Sequence, residues 1–177
     1  MTCIAAVVAD GRVWMGGDSA GVAGWDLTVR ADRKVFRNGP YVMGFTTSFR
    51  MGQLLQYGFE PPVPSGGGDP LRFMATTFVD AVRTCLKAGG WAAKSNEREE
   101  GGTFLVGVRG RLFSIEEDYQ VAESAAGFAA VGYGSQVAHG ALFATEGRPA
   151  PDRVVLALVA AERFSAGVRR PFAIRVA

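Results

Sequence analysis

The chain begins with MTCIAAVVADGRVWMGGDSAGV (residues 1–22), and this stretch decides the fold class. Residues 3–9 form a continuous apolar run, and the Asp10-Gly11 pair that follows is a strong hairpin-turn signal. We therefore expect residues 12–15 to continue as the partner strand. A strand that is apolar throughout is covered on both of its faces. The sequence thus predicts a buried first strand whose sheet has another layer on each side.

Length and composition describe a folded globular protein. The 177 residues are enough for one domain with a proper core, and we expect residues 1–177 to form a single domain. The net charge of +2 is too close to balance to indicate binding to nucleic acid or to an anionic membrane.

The two cysteines, Cys3 and Cys85, do not make a disulfide framework and are typical of a reducing compartment. No apolar run approaches the roughly 20 residues of a membrane helix, and no basic segment precedes the first apolar run. We therefore expect a cytoplasmic protein.

The first half of the chain is predicted to hold short strands followed by two helices. Residues 27–30 and 34–37 are expected to pair with each other, and residues 41–45 to form the next strand. One helix is expected to begin after Ser48 as N-cap, and a second to have Pro70 in its first turn. The Pro- and Gly-rich residues 60–70 between them are predicted to form an exposed loop.

The second half repeats this order. The polar residues 94–102 are predicted to form a solvated loop. The later predicted elements are strands at 103–108, 111–115, 119–123 and 127–131, helices at 135–145 and 152–165, and a closing strand at 171–176. Two helix pairs separated by antiparallel strands predict an α+β fold, namely a four-layer αββα sandwich with two antiparallel sheets between helical layers.

Most familiar catalytic signatures are missing. His139 is the single histidine, so no His-rich metal site can be built, and we expect neither a metal nor a cofactor. A Ser-His-Asp triad would have to use His139, which lies on a helical pattern beside Gly140, so a solvent-facing or locally hydrogen-bonded histidine is favoured. The segment GYGS (132–135) matches neither the phosphate loop nor the dinucleotide fingerprint.

A nucleophile that carries its own base remains. A threonine hydroxyl is a weak nucleophile, and a free N-terminal amine can act as its base. The reference pKa of an α-amino group, about 7.7–8.0, leaves a useful neutral fraction near pH 7. Methionine is normally trimmed when the next residue is small, and removal of Met1 would place such an amine on Thr2.

A threonine in that role needs charged neighbours. A lysine ammonium near the hydroxyl favours the alkoxide, and a carboxylate would hold that lysine in place. Asp18 and Lys34 are the candidates, and each could otherwise be a turn residue or a surface residue. Cys3 is a rival nucleophile if two residues are removed.

At these residues the chain resembles the proteasome β-subunit family of N-terminal nucleophile (Ntn) hydrolases, which includes HslV. Thr2, the Gly-Asp at Asp18 and Lys34 follow one another at equal intervals, as in the family. GYGSQVAHGAL (132–142) is similar to the family's Gly-x-Gly-Ser at its third helix. AAERFSAG (160–167) is similar to the acidic-x-x-Ser-x-Gly that ends its fourth.

The resemblance implies a set of site residues. Thr2 would be nucleophile and base, Lys34 would tune it, and Asp18 would orient Lys34. The polar support around the amine would come from Ser135, Glu162 and Ser165, and the oxyanion donor would be the backbone N–H of Thr47, in the turn TTSF (46–49). The chain departs from the family in having threonine at a turn that usually holds glycine, and Glu162 where aspartate is usual.

The function implied is that of a threonine endopeptidase acting on polypeptides inside a homo-oligomeric ring, and an unfolding ATPase partner is left open. The alternatives are a non-catalytic structural subunit on the same fold and a hydrolase of small amides. The loop at 60–70 would lie at the chamber entrance or where a partner docks, and the alternative is an inert surface loop. Apolar positions on the two first helices exceed what one helix–sheet contact needs, so we expect a subunit interface there; they are Met51, Leu54, Leu55, Phe73, Phe78 and Val82.

Overall fold

The computed structural model describes residues 1–64, 66–91, 93–95 and 98–177, with the backbone alone for 93–95 and 98. The strands are β1 (Ile4–Ala9), β2 (Arg12–Gly17), β3 (Ala20–Ala23), β4 (Asp26–Val29), β5 (Val35–Asn38), β6 (Tyr41–Phe45), β7 (Ala93–Ser95), β8 (Arg98–Glu100), β9 (Phe104–Val108), β10 (Arg111–Ile115), β11 (Val121–Glu123), β12 (Phe128–Val131) and β13 (Ala173–Val176). The helices are α1 (Phe49–Tyr57), α2 (Pro70–Phe73), α3 (Val79–Ala88), α4 (Ser135–Ala144) and α5 (Ala150–Phe164), and a π-helical stretch (Met74–Phe78) joins α2 to α3.

Two antiparallel sheets and two small hairpins contain these strands. The first sheet has the order β12-β1-β2-β13, and the second has the order β11-β10-β9-β6-β5. The separate hairpins are β3-β4 and β7-β8.

Three apolar layers confirm the predicted αββα sandwich. Ile4, Met15 and Leu105 belong to the layer between the sheets. Val154 and Leu158 of α5 cover the outer face of the first sheet, and α1 and α3 cover the outer face of the second. Helices thus lie outside both sheets, as the order of the elements predicts.

The first strand is buried on both faces, as predicted. Ile4 faces the layer between the sheets, whereas Ala5 and Val7 face the helices α4 and α5. Its turn has φ of 50° at Asp10 and 69° at Gly11. Positive φ at both central residues is typical of the two-residue hairpin turn that matches strand twist.

Two predictions about local structure are wrong, one of strand pairing and one of a loop. The strand at 27–30 pairs with β3 through a turn at Gly24, and β5 pairs with β6 through a turn at Gly39. Both glycines have positive φ, so each tight turn joins the strands on either side of it. The polar segment 94–102 was expected to be a loop and contains part of the β7-β8 hairpin, although Asn96 and Glu97 lie outside the described residues.

The helices begin where the capping residues predict. The Ser48 side chain accepts a hydrogen bond from the Arg50 amide at the start of α1, and Asp69 caps the helix that begins at Pro70. The loop before Pro70 contains no helix or strand among its described residues, and Ser65 lies outside them. None of the described helices combines the length and the apolarity needed to cross a membrane.

The expected subunit interface on the first two helices is wrong in its residues. Met51, Leu55, Phe78 and Val82 are buried in the same core layer of their own chain, together with Leu54. Phe73 packs at the edge of that layer. Because α1 and α3 pack on each other as well as on the sheet, the apparent apolar surplus is used inside the chain.

Candidate active site

The antiparallel sheets bring the predicted site residues to one end of the sandwich. Ile4 at the start of β1 lies opposite Gly17 at the end of β2, so Thr2 and Asp18 are neighbours. In the second sheet Val35 lies opposite Gly44, which places Lys34 beside the end of β6. A Cβ at Gly17 would overlap Val35 of the other sheet, so this glycine allows the two sheet ends to approach each other.

Asp18 is the centre of the site's polar contacts. Its Oδ1 accepts hydrogen bonds from the Lys34 Nζ and from the Cys3 amide, both at 2.9 Å. Its Oδ2 accepts from the amides of Ala20 at 2.8 Å and Arg169 at 3.2 Å. The buried carboxylate is therefore fully engaged and ties Lys34 to the backbone next to Thr2.

Lys34 is almost completely buried, with 1% of the residue exposed. Burial lowers the pKa of Lys34 below its usual value, and the charge and hydrogen bond of Asp18 oppose this effect. Among the described residues, Asp18 is the acceptor for its Nζ. Because an ammonium has three N–H donors, Lys34 keeps donors for groups at the adjacent N-terminus.

Two glycines hold the main chain of Thr2. The Gly134 amide donates to the Thr2 carbonyl at 3.2 Å. Gly132 has φ of 94°, and a Cβ there would overlap the same carbonyl. A Cβ at Gly134 would instead crowd the side chains of Ala161, Val168 and Cys3, so each glycine of the GYGS segment has its own close contact. Neither glycine was singled out from the sequence, because Gly-x-Gly also occurs in ordinary turns.

Met1 lies between the Thr2 hydroxyl and the turn that follows α5. Thr2 Oγ1 donates to the Met1 carbonyl at 2.6 Å. The Met1 side chain packs directly on Gly167, where a Cβ would not fit. The turn after α5, which contains the predicted residue Ser165, therefore lies beside the Met1–Thr2 peptide.

The turn after β6 contains one amide that has no acceptor among the described residues. The amides of Thr46 and Ser48 donate to the carbonyls of Thr103 and Thr46, respectively. Thr47 has φ of 56°, and its hydroxyl accepts from the Thr103 amide at 3.1 Å. No residue in the described part of the chain accepts a hydrogen bond from the Thr47 amide, which leaves it as the candidate donor. The hydroxyl contact also explains how a threonine is held in a conformation that favours glycine.

The other two predicted polar residues differ in position. Ser135 begins α4 and lines the same cleft as Thr2. Glu162 is bound instead by Arg170, whose Nε and amide donate to its carboxylate at 2.8 and 2.9 Å. This contact lowers the pKa of Glu162. In the described structure Glu162 fixes the segment that follows α5 and makes no hydrogen bond to Thr2.

The site residues open into a cleft of about 590 Å³. Besides Thr2, Thr47 and Ser135, its lining includes residues to which the sequence analysis gave no role in the site: Thr46, Thr103, Glu116, Glu117, Tyr133, Gln136 and His139. Thr46 and the three residues of segment 132–142 lie in stretches that the sequence analysis noted, whereas Thr103, Glu116 and Glu117 belong to no motif.

Among known proteins, similarity to this chain is found at the level of structure. No protein-family model and no curated protein matches the chain. BPH from Thiobacillus denitrificans, a solved structure, matches with a TM-score of 0.83 and 21% identity over 99% of this chain and 97% of that one. The same protein in complex with epoxomicin has a TM-score of 0.81.

HslV from Trypanosoma brucei matches with a TM-score of 0.69 and 19% identity over 99% of this chain and 98% of that one. The fold is that of the proteasome-type Ntn hydrolases. Anbu (ancestral beta-subunit) from Yersinia bercovieri matches with a TM-score of 0.68 and 15% identity over 99% of this chain and 81% of that one. The TM-scores establish the proteasome-type fold. Identities this low do not establish the chemistry, which has to be argued from the site residues.

His139 has a local role within this Ntn-hydrolase fold. Its Nε2 accepts a hydrogen bond from the Ala130 amide at 3.2 Å. The hydrogen therefore resides on Nδ1, which donates to the Ser135 carbonyl at 3.0 Å. The histidine is locally hydrogen-bonded, as its sequence context favours.

Cys3 is unsuited to act as the nucleophile of a proteasome-type site. Its side chain is buried among apolar residues of α4 and α5. Burial raises the pKa of the Cys3 thiol to about 12, with a further contribution from Asp18 and opposition from Lys34. Since the thiolate is the reactive form of cysteine, burial disfavours Cys3 as a nucleophile.

Proposed function

We propose that this protein is a threonine-type peptidase in which Thr2, after removal of Met1, supplies both nucleophile and base. The observation that carries the proposal is the contact set of Asp18, whose Oδ1 joins the Lys34 ammonium to the amide of Cys3, the residue that follows Thr2. The fold likeness to BPH and HslV supports a hydrolase of the peptidase kind.

The reaction begins at the exposed amine. The neutral α-amino group takes the proton of the Thr2 hydroxyl as Oγ1 forms a bond to the substrate carbonyl carbon. The buried Lys34 ammonium stabilises the developing negative charge on Oγ1, and Asp18 holds that ammonium in place. The Thr47 amide donates to the oxyanion of the tetrahedral intermediate.

The intermediate then breaks down in two stages. The protonated amine returns its proton to the leaving nitrogen as the C–N bond breaks, which leaves an ester on Thr2. A water molecule, deprotonated by the same amine, attacks this ester and releases the acid together with the free hydroxyl. Ser135 and Ser165 support the amine, and the balance of protons requires no metal or cofactor.

The proposed substrate is an extended polypeptide, and the proposed setting is a self-compartmentalising homo-oligomer. The cleft at Thr2 is open to solvent, so an unassembled enzyme could cleave other proteins of the cell. Trp25 at the tip of the β3-β4 hairpin is fully exposed, and Leu27 and Val29 beside it are exposed as well. Such an apolar projection is suited to contact with a second copy of the chain.

The proposed protein is a single cytoplasmic domain over residues 1–177. The apolar layer that the two sheets share supports a single domain. The two free thiols support a reducing compartment such as the cytoplasm. A chamber would exclude folded proteins, so an unfolding ATPase would be the partner for folded substrates.

The N-terminal state of natively expressed protein, measured by intact mass, tests the proposal together with epoxomicin labelling. We expect a mature mass without Met1 and an epoxomicin adduct that is missing from a Thr2→Ala variant. Quantitative retention of Met1 would remove the amine base and support a structural subunit instead. Turnover of small amides without turnover of peptides would support the small-amide hydrolase. Native mass spectrometry that finds a monodisperse monomer near 18.8 kDa would contradict the assembly.

A further inference from the structure

Two cations share the aromatic ring of Phe49 at the edge of the site. The Arg30 guanidinium carbon lies 3.8 Å from the ring centroid. The Lys34 Nζ lies 5.6 Å from the same centroid. Both distances are within the range in which the negative face of an aromatic ring attracts a cation.

Arg30 and Phe49, which form a cation–π stack, each make a further contact. Arg30 donates to both oxygens of Asp32, from Nε at 2.7 Å and from Nη2 at 2.8 Å, so its guanidinium plane has one orientation. The Phe49 ring meets Phe45 edge-on, with centroids 5.8 Å apart. The Phe49 ring therefore lies between Phe45 of the core and the Arg30 guanidinium.

The stack lies close enough to Lys34 to affect the protonation of its ammonium. The titratable and charged groups that act on Lys34 are Asp18, Cys3, Arg30 and the more distant Asp32. Asp18 attracts the ammonium, whereas the Arg30 charge opposes protonation of Lys34. Arg30 itself is partly exposed, so it forms the outer wall between solvent and a nearly inaccessible amine.

We propose that Arg30 and Phe49 are positioning residues that hold the Lys34 ammonium against Asp18 and Thr2 and keep water away from it. The effect on rate rests on the proposed function, but the effect on Lys34 itself does not. Two separate measurements can therefore distinguish failure of this inference from failure of the peptidase proposal.

The first measurement is an NMR titration of protein labelled with ¹³C in its lysine side chains. The chain has three lysines, Lys34, Lys87 and Lys94, and substituting each of the other two by arginine assigns their signals. The titration uses the Thr2→Ala background, so it needs no catalysis. We expect Arg30→Gln to raise the pKa of Lys34, because it removes a positive charge and admits water.

Matched variants separate the stack from a general charge effect. Arg33 is a nearby exposed arginine, and Arg33→Gln removes the same charge without touching the ring. We expect the Arg33 variant to leave the Lys34 titration unchanged. Arg30→Lys keeps the charge but loses the planar fork, and we expect it to raise the pKa of Lys34 by less than Arg30→Gln does. An unchanged titration in Arg30→Gln, an equal shift in Arg33→Gln or full rescue by Arg30→Lys would each overturn the inference.

The second measurement is the pH dependence of peptide hydrolysis in the Thr2 enzyme. We expect Arg30→Gln to lower kcat about tenfold with little change in KM, and to move the alkaline limb of the profile to higher pH. Arg33→Gln should match the parent in both respects. An active parent enzyme whose kcat and pH profile survive Arg30→Gln would also overturn the inference. An inactive parent would contradict the proposed function, while the Lys34 titration would still decide the role of the stack.

Discussion

Asp18 and Lys34 form an ion pair whose side chains are 0% and 1% exposed, with Nζ and Oδ1 2.9 Å apart. Burial of two charges costs much of what their attraction returns, so such a pair is weak evidence of a role in stability. The Asp18 carboxylate accepts hydrogen bonds from four donors, whereas the Lys34 ammonium donates to one described acceptor. The ammonium therefore has N–H donors that Asp18 does not use, which supports a role for Lys34 beyond this ion pair.

Removal of the proposed nucleophile should abolish turnover without unfolding the protein. We expect Thr2→Ala to have no measurable peptidase activity, because the hydroxyl is the atom that forms the ester. Thr2→Ser should keep part of the activity, since both hydroxyl and amine survive. Steady-state hydrolysis of a fluorogenic peptide and a thermal melt measure the two properties. Wild-type turnover in Thr2→Ala would show that another group is the nucleophile.

Catalysis should require the compact ammonium of Lys34 and not merely a positive charge at this position. We expect Lys34→Ala to lower kcat/KM at least 100-fold, or about 2.7 kcal/mol of transition-state stabilisation. Lys34→Arg should not restore the rate, because a planar guanidinium does not fit a site with 1% exposure. Rescue by arginine would indicate a general charge effect. Lys87→Ala, at an exposed lysine, is the control and should keep the parent rate.

Contact of Gly132 with the Thr2 carbonyl should be sensitive to a single methyl group. Gly132→Ala must overcome both a φ of 94° and overlap with that carbonyl, so we expect a loss of several kcal/mol in the free energy of unfolding. Gly147→Ala is the matched control, because Gly147 has φ of 84° and open space around it.

Urea unfolding of both variants measures the difference. The Gly147 variant should lose only the roughly 1–2 kcal/mol of the left-handed conformation. Equal losses in the two variants would contradict a close approach to Thr2.

Titration of Cys3 should weaken the fold at high pH. Burial raises the pKa of Cys3 from 9.0 to about 12, so the folded state binds more protons than the unfolded state between these values. The resulting stability is present below pH 9 and is lost as the pH rises toward 12. We expect Cys3→Ala to show a smaller alkaline loss in the free energy of unfolding than the parent.

Chemical unfolding at pH 7 and pH 10 measures this difference. Cys85→Ala serves as the control, because Cys85 is only partly buried. Parallel pH profiles for the parent and Cys3→Ala would contradict the shifted pKa.

Features that depend on near neighbours in the chain were determined by the sequence alone. The apolar run 3–9 with its Asp10-Gly11 turn was enough to predict a hairpin buried on both faces, because the turn residues and the strand pattern act locally. Ser48 predicted the start of α1 for the same reason. The resemblance to the proteasome β-subunit family, carried by the spacing of Thr2, Asp18 and Lys34, implied that these residues share a site.

Choices between distant segments were decided only by the tertiary structure. The strand at 27–30 pairs with β3 because the turn at Gly24 is tight, Glu162 binds Arg170, and the apolar faces of α1 and α3 cover each other. Gly17, Gly132 and Gly134 matter through the backbones and side chains that approach them, which composition does not reveal. Local patterns state what a segment can form, whereas its partner depends on which remote segment the packed layers bring within contact distance.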